Sequence, residues 1–159
     1  MKLIDSRGDP WHPVVADEAA PAVRSHALLT LAQWEAVRAA WPLDVPVGVL
    51  LANTDDVRRV AADLPRLGLI ALDFPKWTDG RAYSQARLLR ARLRYAGELR
   101  ASGQVLVDML PLLQRTGFDA AALRADQDEQ AARRALSFFP GHYQADPLAP
   151  APRFGRQAA

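Results

Sequence analysis

Nine consecutive residues, Asp73-Phe74-Pro75-Lys76-Trp77-Thr78-Asp79-Gly80-Arg81, hold the densest polar chemistry in the chain. Asp73 follows an apolar run, where partial burial would raise a carboxyl pKa and Lys76 would lower it, so it is the acid/base candidate. Lys76 and Arg81 are cations, Thr78 and Asp79 are capping residues, and Gly80 leaves backbone N–H groups accessible at a helix start. With Tyr83 and Ser84 just beyond, the stretch has the equipment to bind a sulfate, phosphate or carboxylate, or to meet a protein partner. The same residues also read as plain helix-start chemistry: Thr78 caps, Asp79 favours the dipole, Gly80 permits the turn and both cations stay in water. Asp73 likewise reads as a loop carboxylate that accepts from backbone amides.

Other chemistries find little material. Ser84 has no Gly-x-Ser-x-Gly elbow around it, so no nucleophile is assigned. His12, His26 and His142 form no metal-binding pair, and a chain without cysteine has no thiolate nucleophile, disulfide, iron–sulfur or cysteine-zinc site, so no metal is expected. Neither a dinucleotide fingerprint nor a P-loop occurs, so dinucleotide and P-loop nucleotide binding have no positive support, and the cofactor is unknown from the sequence. Twenty Lys and Arg against eighteen Asp and Glu leave a net charge of +2, too small a field to argue for nucleic acid. Arg81, Arg87, Arg90, Arg92 and Arg94 step by about 100° and spread over more than one helix face, which suits a solvated or partner-contacting surface.

These residues must be positioned by the elements around them. Thr30-Leu31-Ala32-Gln33 is a capping-box pattern opening a helix with Leu31, Trp34, Val37 and Trp41 on one stripe, ended by Pro42. Residues 45–52 and 67–73 read as buried strands, 98–102 as a short third and 118–124 as a fourth. Helices are expected between and after them. One carries Val57, Val60, Ala61 and Leu64 and has Asn53 or Thr54 to cap it. Another runs from Asp79-Gly80 to about Arg94 under a Thr78 cap, with Ala82, Ala86, Leu89 and Leu93 inward. A third covers 105–115, where Pro111 means a kink or a misplaced start, and a last runs from an Asp126 cap to Phe139. Gly117 suits a helix terminator.

The expected fold is therefore α/β: four β-α units on a parallel sheet, arranged as an open three-layer sheet or a partial β/α barrel and preceded by an N-terminal helix. One domain is expected over residues 1–145, with a lead-in and helix over 1–44 and β/α repeats over 45–140; residues 146–159 read as a flexible tail. No leader or membrane span is apparent, so the expectation is a cytoplasmic protein; a homodimer that completes the array is compatible with it. In such arrangements ligands gather at the carboxyl ends of the strands. That rule singles out Asn53, residues 73–83, 102–104 and 124–126.

The run from Asp73 to Arg90, with Gly97-Glu98-Leu99-Arg100-Ala101 and Gly117-Phe118-Asp119, resembles an uncharacterised bacterial family encoded beside assimilatory sulfite reductase and labelled as an oxidoreductase of sulfite reduction. The resemblance spans residues 40 to 140, departing from the family pattern at Gln104 and Pro111. It implies a pathway rather than an activity: an accessory protein working with sulfite reductase through the loop at 73–84. The alternative is a small-molecule oxidoreductase or other enzyme in which Asp73 transfers protons and Lys76 with Arg81 holds an anionic substrate. A concave pocket would favour the enzyme, and a flat loop surface the partner.

Overall fold

The computed structural model describes residues 1–5, 8–15 and 20–138. Among the described residues seven strands form one sheet: β1 (Lys2–Leu3), β2 (His12–Pro13), β3 (Ala27–Thr30), β4 (Val47–Leu51), β5 (Leu67–Phe74), β6 (Glu98–Gly103) and β7 (Ala120–Ala121). Their order is β1-β7-β6-β5-β4-β3-β2, and every neighbouring pair is parallel. From β2 to β7 each strand lies beside the next in sequence, and the sheet curls into an open α/β half-barrel. The parallel α/β reading holds, with the partial barrel as its form. The four expected strands are β4 to β7, and β1 to β3 add three more.

The two faces of the sheet differ. Leu29, Val49, Ile70 and Leu99 are in register on one face, as are Leu51, Leu72, Ala101 and Ala121. They share a buried core with Leu31 and Trp34 of α1 (Leu31–Val37), Ala82 and Ala86 of α2 (Arg81–Arg87), and Leu110 and Leu113 of α3 (Leu110–Thr116). α4 (Glu129–Ser137) adds Ala132. On the opposite, inner face the cluster is small: Leu28, Leu69 and Ala71, with Trp11 and Leu50 packed against it. A methyl on Gly48 would lie 3.0 Å from the Trp11 ring and one on Gly68 3.1 Å from it, so the absent side chains make room for the indole. Gly68 is also the extra residue where the β4–β5 register slips. Arg100, paired with Ala71 across β5 and β6, is buried on the inner face and pairs with Asp9 at 2.5 Å and Glu98 at 2.6 Å.

Several element ends differ from expectation for local reasons. The Thr30–Gln33 capping box is present in both directions, at 3.3 and 2.9 Å, but α1 stops at Val37 and residues 38–40 form turns before Pro42. α1 lies between β3 and β4 and so connects two strands of the sheet. Asp56, accepting from the Arg58 amide, caps the segment 57–66 in place of Asn53 or Thr54, and that segment is a 3₁₀ helix containing Pro65. Thr78 caps nothing: α2 begins at Arg81 with Gly80 at the cap position, and continues as a π-helical turn over Leu88–Arg92. Pro111 sits in the first turn of α3, where its missing N–H costs nothing, so the start was misplaced and the helix is not kinked. Gly117 terminates α3 in the left-handed region at φ 102°. β7 shrinks to two residues, and Asp128 rather than Asp126 caps α4. Asp126 is instead paired with Arg124. Phe139, His142 and the expected tail lie outside the described residues.

Candidate functional site

Parallel strands in register bring their carboxyl ends to one edge. Thr30, Leu50 and Ala71 pair across β3, β4 and β5 on the inner face, and Asp73 lies two residues beyond Ala71, hence on the same face at the rim. There a cavity of about 310 Å³ is lined by Thr30, Leu31, Ala32, Leu50, Ala52, Asp55, Arg59 and Asp73. The acid/base candidate therefore faces a concave space. Of the other sequence-selected residues, Lys76, Thr78, Asp79, Gly80, Arg81, Tyr83 and Ser84, none lines it.

Asp73 is half-buried, and its carboxyl has no hydrogen-bond or ion-pair partner among the described residues. Burial pushes its pKa above the ordinary 3.8. Desolvation with no compensating donor favours the neutral acid, the condition that suits a group for proton exchange nearer neutrality. Its neighbour across β6 is Ser102, whose hydroxyl donates to the Leu72 carbonyl at 3.2 Å. Gly103 follows at φ 87°, and a methyl there would stand 2.5 Å from Asp73 Oδ1 and 2.6 Å from the Phe74 carbonyl oxygen. The glycine leaves the carboxylate its place.

The remaining walls come from the two preceding strand ends. Asp55 Oδ2 accepts from the Ala52 amide at 2.8 Å, closing the turn after β4. Arg59 donates through Nε to Glu35 Oε1 at 2.9 Å and through Nη2 to Glu35 Oε2, tying the 3₁₀ helix to α1. Thr30, Asp55 and Arg59 were not identified as site residues from sequence. Thr30 reads as a cap, which it is, and Asp55 and Arg59 lie in or beside the segment expected to be a helix, with nothing in their spacing to single them out. Recognising β3 as a strand would have placed Thr30 at a strand end.

The loop after β5 has its own organisation. Asp79 takes the Arg81 amide at 3.2 Å, Arg81 Nε at 3.0 Å, Arg81 Nη2 at 2.7 Å and Asn53 Nδ2 at 2.7 Å. Hydrogen bonds from Arg81 hold the Asp79 carboxyl down at about 2. The anion at the start of α2 is thus the protein's own carboxylate, and the Arg81 guanidinium is engaged by it. Lys76 is exposed with no partner among the described residues, Thr78 and Ser84 are exposed, and Trp77 is 58% exposed. Tyr83 is half-buried against Phe74 and Phe118, at ring distances of 5.2 and 6.5 Å, and burial raises its pKa. Arg90 of the arginine-rich helix is a strut, donating to the Tyr95, Gly97 and Gly117 carbonyls and pairing with Asp119.

A family described as a bacterial protein of unknown function, DUF934, matches residues 48–154. The chain belongs to this family. The match begins inside β4, so β3 and α1, which supply Thr30, Leu31 and Ala32 to the cavity, precede it. No curated protein matches the chain. No helix among the described residues is long and apolar enough to cross a membrane.

Proposed function

We propose that the protein acts on a small molecule in the cavity at the carboxyl ends of β3, β4 and β5, with Asp73 as the group that gives or takes a proton. The observation that carries this reading is a half-buried carboxyl, without a partner among the described residues, on the wall of a concavity of about 310 Å³. Side chains held for structure normally have their polar atoms satisfied; a carboxyl left open in a cleft, with burial working against its charge, has the features of a proton-transfer group. The pathway in this proposal is assimilatory sulfite reduction, and its support is the sequence resemblance over 73–90, 97–101 and 117–119. The test is complementation of a deletion strain growing on sulfate as its sulfur source. Wild-type growth is expected to be lost with Asp73→Asn; full complementation by that variant sinks the proton-transfer reading, and a deletion without phenotype sinks the pathway.

A second reading, an accessory that docks on sulfite reductase, draws on the loop at 75–81. Trp77 is exposed beside Lys76 on a loop fixed by the Asn53–Asp79–Arg81 network, an ordered aromatic of the kind that anchors interfaces. Oxyanion binding by this loop would rest on Lys76, since Arg81 is held by Asp79. The same strain separates the two readings: Trp77→Ala abolishes growth if docking is the role and leaves it intact if the cavity is.

A further inference from the structure

The charge around the cavity argues about its ligand, granted the reading above that the cavity is the working site. Among the described residues three ionisable side chains line it, Asp73 from β5, Asp55 from the turn after β4 and Arg59 from the 3₁₀ helix, and a fourth, Glu35 from α1, is bound to Arg59. Arg59 is the one cation among these four, and Glu35 grips it through both Nε and Nη2, a forked geometry that satisfies two of its donors and cancels its charge locally. That leaves acceptors: both oxygens of Asp73 have no partner among the described residues, and Asp55 has one oxygen beyond the one accepting from Ala52. Of the rest of the wall, Leu31, Ala32, Leu50 and Ala52 are aliphatic, and Thr30 contributes a hydroxyl that already accepts from the Gln33 amide at 3.3 Å. An anion entering this space would meet carboxylates and an already paired guanidinium. A donor would meet open lone pairs.

We propose that the cavity selects an uncharged or cationic ligand that donates hydrogen bonds, a small amine or amino alcohol, and that Glu35 sets this preference by holding Arg59. Glu35 is a specificity determinant that acts through Arg59. Freed of it, the guanidinium would turn its fork to a small oxyanion.

The experiment is a titration of the full chain, followed by amide ¹H–¹⁵N shifts at Thr30, Ala32, Ala52, Asp55 and Asp73, with ethanolammonium and, separately, sulfate at matched ionic strength. The wild type is expected to give saturable shifts at these amides with ethanolammonium and none with sulfate. Glu35→Gln, which keeps the shape and whose site is half-exposed, is expected to give saturable sulfate shifts at these amides, at least about tenfold tighter than the limit the wild type sets, equivalent to about 1.4 kcal/mol. Saturable sulfate binding by the wild type at these amides overturns the ligand class while leaving the cavity as the site. A Glu35→Gln variant that discriminates as the wild type does overturns the role of Glu35. Absence of saturable shifts with either probe overturns this inference alone, and growth of the Asp73→Asn strain decides the proposed function separately.

Discussion

At the scale of single residues, Asp73 and Gly103 carry the account. The folded carboxyl of Asp73 binds its proton more tightly than the unfolded chain does, because burial raises its pKa. Its favourable contribution is therefore complete below the ordinary value of 3.8 and is lost as pH rises through the folded value. Asp73→Asn removes that loss, so the variant should be more stable than wild type at neutral pH and lose the advantage on acidification; urea unfolding at several pH values checks the direction. Gly103→Ala should cost at least about 1 kcal/mol from its positive φ alone and should move the Asp73 titration, since the new methyl would collide with Oδ1. Gly80→Ala is the control: φ is −84° and the nearest contact is Tyr83 at 3.9 Å, so its melting should shift little. Asp73 was legible in the sequence because an aspartate closes a long apolar strand. Arg81 was misleading: its cation was visible, but its closure onto an aspartate two residues away was not.

At the scale of elements, the regular segments were legible where periodicity had room to register. β4, β5 and β6 are five to eight residues long and bracketed by turn residues, and α1 announced itself through its capping box. β1 and β2, at two residues each, fall below any period, and the four residues of β3 run straight into the cap of α1. Those short strands are held by tertiary packing, and Trp11 is the centre of it for the segment around β2. Trp11→Ala should destabilise the fold by about 2 kcal/mol, below the ~3–5 kcal/mol of a fully buried tryptophan because this one is only partly buried. A thermal or urea melt measures it, and a shift under a few tenths of a kcal/mol would mean that the indole is an ornament on the inner face.

At the scale of the whole molecule, the parallel α/β class followed from alternating apolar runs and amphipathic helices, while the closure of the sheet did not, because curl arises from the register of seven strands, three of them unread. The family match begins at residue 48, yet Ala27, Leu29, Leu31, Trp34 and Trp41 are buried in the same core as β4 and β5. A fragment confined to 48–154 should consequently lack a fixed core, with near-ultraviolet circular dichroism lost and amide shifts collapsed; a cooperative melt from that fragment would show the first forty-seven residues to be dispensable. Whether Asp73 is an open, partly desolvated acid at the wall of a cavity is read out by ¹³C carboxyl titration of Asp73 in the intact protein. A midpoint above 3.8 that moves when a donor ligand fills the cavity is expected, whereas a midpoint at or below 3.8 would mean that the carboxyl is held by partners and is no open acid.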